Sequence, residues 1–316
     1  MFALGIVAIL SLSSPYTVSR YRLSSEQAPE QVVANDNRRP AGTIVGRTMS
    51  LHLEIRRGAW HPDRAEGPGI TVNAFAEEGK PLSVPGPLIR VPAGAIVRVT
   101  VRNTLFNSVV VYGLSARGAG TPRSEDTVQI RPGAVQEVSF PAGAAGTYYY
   151  WAKSARDTSS ADPLSRAPVD AILGGAFVID PRGSAPSDKD RVFVLNFWDP
   201  MARSFDSSAT AAGEPSYWFT INGNAWPSTE AVSLSRGDTI RMRFVNMTLA
   251  SGPMQIEVPL NPAVVASAVR HLEGGSTYVL ELTPQRSGDL SILLKSANGT
   301  LLGRLTVQVH LRGSAA

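Results

Sequence analysis

One stretch of this sequence occurs twice, and the repeat limits what the chain can fold into. Residues 91–103 read Val-Pro-Ala-Gly-Ala-Ile-Val-Arg-Val-Thr-Val-Arg-Asn, and residues 234–246 read Leu-Ser-Arg-Gly-Asp-Thr-Ile-Arg-Met-Arg-Phe-Val-Asn. In each copy a turn glycine is followed by a β-prone run that ends in asparagine. Apolar and polar residues alternate within these runs, which is typical of half-buried strands. One type of β domain used twice is the simplest explanation.

Short strand-forming runs recur along the rest of the chain at intervals of about ten residues, a spacing typical of a sandwich or barrel. Leu51, Leu53 and Ile55 alternate with polar neighbours, for example, and Pro85-Gly86-Pro87 forces a turn before the next run. The chain has 316 residues, of which 43% are hydrophobic, enough for two packed domains. The predicted fold class is therefore all-β, with two β-sandwich domains.

A polar, turn-rich segment, residues 180–190, is the predicted domain boundary. We expect the first domain over residues 46–183 and the second over 189–312. Residues 1–45 are expected to be a disordered leader. The apolar run from Phe2 to Leu12 is too short to span a bilayer but resembles the core of a signal segment. The sequence thus favours an exported protein, periplasmic or extracellular, with no membrane span.

The sequence contains no cysteine. A disulfide framework and thiolate chemistry are therefore both excluded. A blue copper centre, which needs one cysteine thiolate beside two histidines, is excluded as well. The balance of 30 basic against 26 acidic residues gives a net charge of +4. The arginines form no dense run and alternate with no aromatic platform, so we expect a mildly basic solvated surface and no nucleic-acid partner.

Several phrases of the sequence resemble the multicopper oxidase family, in the family's own order. They are Pro-Gly-Pro-Leu-Ile-Arg-Val at 85–91 with the strand at 97–103, Asp-Ala-Ile-Leu-Gly-Gly-Ala-Phe-Val-Ile-Asp at 170–180, and Phe-Thr-Ile-Asn-Gly-Asn-Ala-Trp-Pro at 219–227. The resemblance covers roughly residues 50–312. It implies two Greek-key, cupredoxin-like (plastocyanin-like) β-sandwich domains. Two-domain members of the family assemble as trimers with copper sites between neighbouring subunits.

Four further stretches resemble the copper-ligand motifs of that family, but other residues stand at the ligand positions. Residues 110–114 read Val-Val-Tyr-Gly-Leu where the family has His-Trp-His-Gly-Leu, and residues 252–257 read Gly-Pro-Met-Gln-Ile-Glu where it has His-Pro-Met-His-Leu-His. The same is true at 146–153 and at 293–304. The positions that the resemblance assigns as degenerate ligands are Val110, Tyr112, Trp151, Lys153, Gly252, Gln255, Glu257, Leu293, Leu294, Lys295, Gly299 and Arg304.

The replacements cannot build the family's copper centres. Those centres use imidazoles in His-x-His pairs, which a strand presents on one face. Valine, glycine, leucine and tryptophan supply no such ligand, while Gln255 and Glu257 offer oxygens that suit harder cations. A buried charge needs a partner. We therefore hypothesise that Glu257 pairs with Lys153 or with Lys295 in the vacated space.

The four histidines, His52, His61, His271 and His310, are at least nine positions apart and are expected to lie scattered on the surface. No Gly-x-Ser-x-Gly elbow, phosphate-binding glycine loop or His-Glu-x-x-His motif occurs. Asp162, Asp170, Asp199 and Asp206 are interpreted as turn or cap residues rather than as an acid/base pair. Residues 148–151, Tyr-Tyr-Tyr-Trp, are interpreted as a strand with alternate residues on opposite faces rather than as a stacking platform.

The sequence therefore predicts a copper-free relative of the multicopper oxidases, with no catalytic, cofactor-binding or metal-binding residues. We expect a structural, interaction or ligand-binding subunit that forms a homo-oligomer, with a trimer as one form, or joins an active homologue. The first alternative is a copper-binding, laccase-like oxidoreductase with ligands outside the aligned positions. The second is an adhesion or carbohydrate-binding sandwich, which an exposed aromatic patch would favour.

Overall fold

The computed structural model describes residues 29–63, 69–116, 127–155, 165–184, 187–201, 217–261 and 264–311. These residues form almost only β-strands, with short 3-10 turns at Pro168–Asp170 and Leu249–Ser251. Four sheets stack in two pairs, so the predicted all-β fold with two Greek-key, cupredoxin-like sandwiches is confirmed. Within the described residues no helix is long and apolar enough to cross a membrane.

The first sandwich consists of sheets 1 and 2. Sheet 1 contains β1 (Gln31–Ala34), β2 (Thr43–Val45), β3 (Thr48–Trp60), β4 (Ile70–Glu77), β5 (Leu82–Val84), β7 (Ile96–Asn103) and β10 (Val135–Pro141). Sheet 2 contains β6 (Gly86–Pro92), β8 (Val109–Tyr112), β9 (Thr127–Ile130), β11 (Gly146–Ser154) and β12 (Gly174–Asp180). The alternate apolar residues of both sheets, among them Leu51, Val99 and Phe177, meet in one core.

The second sandwich consists of sheets 3 and 4. Sheet 3 contains β13 (Asp190–Trp198), β14 (Trp218–Ile221), β15 (Asn224–Ala225), β17 (Ile240–Asn246) and β20 (Thr277–Leu282). Sheet 4 contains β16 (Val232–Ser235), β18 (Met254–Asn261), β19 (Val264–Leu272), β21 (Gly288–Ser296) and β22 (Leu301–His310). Their shared core includes Phe193, Phe244 and Leu294, all without exposed surface.

The two sandwiches repeat one topology. Sheet 2 has the strand order β6-β12-β11-β8-β9, and sheet 4 has the order β16-β22-β21-β18-β19, so each strand number rises by ten. The same shift relates β5-β4-β3-β7-β10 of sheet 1 to sheet 3. Parallel pairs also correspond, since β3 pairs with β7 as β13 does with β17. The repeat in the sequence is therefore a repeat of a whole domain.

The repeated asparagines have the same structural role. Asn103 and Asn246 end β7 and β17, and neither has exposed surface. Asn103 donates through Nδ2 to the carbonyl of Ile130 at 3.0 Å, while Asn246 donates to the carbonyl of Glu273 at 2.9 Å. Each Oδ1 accepts the backbone N–H two residues further on. Each side chain thus supplies buried backbone groups with partners at the end of its strand.

The outer face of sheet 2 packs against the outer face of sheet 3. Leu88 and Val178 of the first domain contact Val192, Val194 and other apolar residues of the second in a shared buried cluster. β12 ends at Asp180 and β13 begins at Asp190, so the boundary segment connects neighbouring strands across this interface. The centre of the interface is apolar, and its burial holds the two domains in one relative orientation.

A buried ion cluster closes one side of the same interface. Arg90 of β6 donates to Asp180 at 2.8 and 2.9 Å and to Asp190 at 3.0 Å. Arg243 of β17 donates to both carboxylate oxygens of Asp190 at 2.7 and 2.9 Å, and to Thr147 Oγ1 at 2.9 Å. Burial opposes the charge on Asp190, but the hydrogen bonds and charges of Arg243 and Arg90 outweigh it and hold its pKa below the ordinary value.

The prediction of a disordered leader over residues 1–45 is wrong for residues 29–45, which contain two strands. Gln31–Ala34 pairs with β3 and β5, and Thr43–Val45 pairs with β3. Asn37, between them, is buried and donates through Nδ2 to Asn222 Oδ1 of the second domain at 3.1 Å. The polar composition of this segment suits disorder, but pairing with a sheet edge satisfies its backbone and outweighs that tendency. Residues 1–28, with the apolar run, lie outside the described residues.

Candidate functional site at the former ligand positions

Four of the degenerate positions in the first domain form one block on neighbouring strands. Trp151 of β11 lies directly opposite Tyr112 of β8, and Lys153 lies opposite Val110. Residues two apart on a strand share a face, so all four side chains point the same way. That face is the outer one of sheet 2, because Val109, Val111 and other intervening residues belong to the core of the first sandwich. We call these four residues the first block.

Aromatic stacking fills the first block. The rings of Tyr112 and Trp151 are parallel within 3°, with centroids 3.9 Å apart. Both side chains are at most 8% exposed and join the interface cluster with Val245 and Met247 of the second domain. Burial raises the pKa of the Tyr112 hydroxyl. The space that histidines would line is therefore occupied by a packed aromatic pair.

Sequence reasoning missed Arg166, which lies beside this pair. Its guanidinium carbon is 5.7 Å from the Trp151 ring centroid, and its Nη2 donates to the Met247 carbonyl at 2.8 Å. Burial lowers the pKa of Arg166 to about 10, although Asp170 and Tyr149 partly oppose the change. The arginine remains charged at neutral pH and lies over the ring as a cation–π contact. No motif surrounds it in the sequence, so only the tertiary structure reveals it.

Asp170 connects β11, which carries two residues of the first block, to β4. It has no exposed surface and accepts Asn73 Nδ2 at 2.7 Å and the Ser154 backbone N–H at 2.8 Å. Asp199 accepts the Met201 N–H at 2.6 Å. Both are cap or turn residues, as predicted, while Asp162 and Asp206 lie outside the described residues. The strand interpretation of residues 148–151 is also confirmed, since Tyr150 points into the first core and Trp151 into the interface.

Four degenerate positions of the second domain form an equivalent block on β18 and β21, the counterparts of β8 and β11. Gln255 lies opposite Lys295, and Glu257 lies opposite Leu293. These four residues, the second block, lie on the outer face of sheet 4. Leu294 between them has no exposed surface and belongs to the second core. The position that the family fills with cysteine is thus a core leucine here.

The second block contains the predicted ion pair. Lys295 Nζ lies 2.5 Å from Glu257 Oε2, and the two side chains are 27% and 24% exposed. Of the two partners hypothesised for Glu257, the structure selects Lys295. The pair lies on a partly exposed surface rather than in a closed cavity. Such a pair gains little from its charges, because water screens them.

The remaining degenerate positions surround the second block or sit in turns. Arg304 of β22 lies opposite Leu293, and its guanidinium carbon is 5.6 Å from the ring centroid of Trp226. Gly299 and Gly252 have φ angles of +91° and +108°. Such φ angles favour glycine, so both positions are explained by the turns that they form.

The two blocks lie on opposite sides of the second domain. The first faces sheet 3, and the second points away from sheet 3 on the far face of sheet 4. Stacked sheets are about 10 Å apart, so two such spacings separate the blocks by roughly 20 Å. One chain therefore does not bring its own two sets of positions together.

The residues of these blocks do not fit copper. They include no imidazole and no thiolate, and both blocks contain an ammonium group, which repels a cation. Among the described residues, no three His, Cys, Asp or Glu side chains gather closely enough to hold a metal ion. Of the four histidines expected on the surface, His52 and His271 are exposed, whereas His61 and His310 are half-buried. His271 lies near the end of β19.

Comparison with known proteins identifies the fold. Residues 58–182 match the family model for multicopper oxidase. The chain is 23% identical over 217 residues to the "Probable nitrite reductase-hydroxylamine oxidoreductase fusion protein" of Kuenenia stuttgartiensis, covering 65% of this chain and 24% of that protein. It is 23% identical over 232 residues to Laccase-2 of Thanatephorus cucumeris, covering 65% and 36%. The chain thus matches about a quarter and about a third of these relatives' lengths.

A solved structure extends the likeness to both domains. The copper nitrite reductase from Nitrosomonas europaea superposes with a TM-score of 0.57 at 20% identity, covering 83% of this chain and 94% of that one. Identity at this level shows a shared fold. Residues 58–182 thus match a multicopper oxidase domain, and the chain has the cupredoxin-like fold of the copper nitrite reductase.

Proposed function

We propose that this chain is a cupredoxin-like protein without copper that acts as a structural or interaction subunit rather than as an oxidase. The stacked Tyr112–Trp151 pair carries the proposal, because it fills the space on the first domain that a metal centre would need. The Lys295–Glu257 pair supports it on the second domain. An oxidase would also need an acceptor for substrate electrons, and this chain has no cysteine for a blue copper centre.

Metal analysis tests the proposal. The purified chain would be incubated with copper, desalted and analysed by inductively coupled plasma mass spectrometry, with the Nitrosomonas europaea copper nitrite reductase treated identically as a positive control. We expect copper well below one equivalent per chain. Stoichiometric copper would overturn the proposal and favour the alternative, a copper-dependent oxidoreductase of the laccase type with ligands outside the two blocks.

We further propose that the outer face of sheet 4 contacts another subunit, either a second copy of this chain or a copper-loaded relative. The equivalent outer face of sheet 2 is covered by sheet 3, whereas on sheet 4 Glu257 and Lys295 remain partly exposed. Val269, opposite Glu257, is 39% exposed, and Trp226, which contacts Arg304, is 50% exposed. An exposed tryptophan and a half-buried ion pair fit a protein interface better than bulk solvent.

Light scattering after size exclusion tests self-association through this face. We expect an oligomer for the native chain and a shift toward monomer for Leu293→Glu, which places a second carboxylate opposite Glu257. Val45→Glu is the matched control, because Val45 is 75% exposed on β2 of the first domain. A monomer at all concentrations, or equal effects of both substitutions, would contradict self-association through sheet 4.

We also propose export from the cytoplasm, which the resemblance to the multicopper oxidases and the apolar run at Phe2–Leu12 support. Fractionation of cells that express the full chain tests this. Recovery in the periplasm or medium is the expected result, and recovery with the cytoplasmic fraction alone contradicts it.

A further inference from the structure

A cleft of about 500 Å³ lies between the N-terminal segment and the two domains, and no residue of either block is part of its lining. One wall is the segment around Val33 and Arg39, another is the β4–β5 turn with Pro81, and the floor includes Leu88 and Ile221. The volume is within the range typical of small-molecule sites. Neither the sequence motifs nor the relatives' names assign anything to this place.

The walls of the cleft offer apolar surface. Val33 is 45% exposed, and Pro40 and Pro81 are exposed as well. Apolar surface of this kind gains free energy when a ligand removes it from water. The rigid prolines also lose little conformational entropy when a ligand packs on them. An apolar ligand body therefore suits these walls.

The acidic groups that line the cleft are all held by cations of the chain. Lys80 Nζ donates to Glu77 at 2.7 Å. Arg38 pairs with Asp36 at 3.2 Å through Nε and makes a short contact with Glu230 through Nη2. The three carboxylates are therefore compensated before any ligand arrives, and a cationic ligand would have to displace an existing ion pair.

Arg39 is the exception among the charged groups of the lining. Within the described residues the structure gives its guanidinium neither an ion pair nor a hydrogen bond, and the side chain is exposed at the cleft. A guanidinium presents a planar fork of donors that matches a carboxylate. The cleft thus combines apolar walls with one uncompensated cation at its rim.

We propose that this cleft binds a small organic carboxylate with an apolar body, its carboxylate on Arg39 and its body against Val33, Pro40 and Pro81. The site is independent of the two blocks, so it stands or falls separately from the proposed absence of copper. In this position the ligand contacts the N-terminal segment through Val33, Arg39 and Pro40 and the first domain through Pro81.

Equilibrium binding of 2-naphthoate tests the charge requirement. We expect saturable binding of the naphthoate, with 2-naphthamide, its uncharged counterpart, bound at least about tenfold more weakly, as the loss of a charge-assisted hydrogen bond implies. Arg39→Gln should weaken naphthoate binding by about the same factor. Arg131→Gln is the matched control, because Arg131 is equally exposed but lies between β9 and β10, outside the cleft. Equal affinities for acid and amide, or equal losses in both variants, would overturn the proposal.

A single introduced cysteine tests the location. The native chain has none, so Val33→Cys creates one alkylation site on the cleft wall. Saturating 2-naphthoate should slow its alkylation several-fold and leave the rate unchanged in Val45→Cys, which lies outside the cleft. Naphthoate that binds without protecting the cysteine at position 33 would place the site elsewhere and refute this assignment. No binding at millimolar concentrations would refute it as well.

Discussion

Tyr112 stacks on Trp151 across two neighbouring strands, with parallel rings and centroids 3.9 Å apart, at two positions that the sequence resemblance assigns to ligand histidines. The pair packs against Met247 and Val245 of the second domain. The aromatic pair therefore joins the two domains of the chain. The replaced residues thus have a packing function that can be measured.

Truncating the stacked pair should destabilise the protein. Tyr112→Ala removes a ring that is 8% exposed and leaves a cavity at the interface, so we expect a loss of about 3 kcal/mol in the free energy of unfolding. Tyr112→Phe keeps the ring and should change stability by less than about 1 kcal/mol. Urea denaturation measures both. An alanine variant as stable as the phenylalanine variant would show that the stack contributes nothing.

The buried ion cluster should make stability depend on pH. Arg243 and Arg90 hold the pKa of Asp190 below its unfolded value. The stabilisation is therefore fully present above the unfolded pKa, near 4, and is lost as the pH falls from there through the lower folded pKa. Asp190→Asn should destabilise the protein by about 3 kcal/mol at pH 7, because it removes the carboxylate that pairs with Arg243 and one of the two that pair with Arg90.

The difference between Asp190→Asn and the native chain should shrink as the pH is lowered below about 4, because the carboxylate of the unfolded chain takes up a proton there before the folded one does. Urea unfolding across this range measures the difference. A constant difference between pH 7 and pH 3 would contradict the assignment of acid sensitivity to Asp190.

The two repeated asparagines should have matching energetic effects. Asn103→Ala and Asn246→Ala each leave buried backbone groups without partners, so each should cost about 2 kcal/mol. The losses should add in the double variant, because the two sites lie in different domains. Asn107→Ala is the control, since Asn107 contributes only its carbonyl to Asn103. A loss at one asparagine with none at the other would contradict their equivalence.

In the dissociated, monomeric chain the Lys295–Glu257 pair should contribute little to stability. Both side chains are about a quarter exposed, so water screens the attraction. A double-mutant cycle with Lys295→Met and Glu257→Gln should give a coupling energy below about 1 kcal/mol, and added salt should reduce it further. A coupling of several kcal/mol would mean that the pair is shielded, as it would be beneath a partner subunit.

Much of the fold follows from local pattern. Leu51, Leu53 and Ile55 alternate on β3 as predicted and point into the first core, and the repeated glycine–strand–asparagine phrase does mark two equivalent domains. β19 (Val264–Leu272) was not predicted, since its small and β-branched residues show weak alternation. The N-terminal strand β1 was missed for a different reason. Its four residues carry little signal, and they are ordered by the edges of β3 and β5.

The sequence by itself determined which chemistry is absent from the ligand positions, because a residue's identity fixes whether it has an imidazole or a thiolate. It also indicated that Glu257 would need a lysine partner. Only the tertiary structure decided that the partner is Lys295, that the two blocks lie on opposite sides of one domain, and that Arg166 covers Trp151. These relationships join residues from strands and loops distant in the chain, and they depend on which sheet faces pack together, which no local pattern encodes.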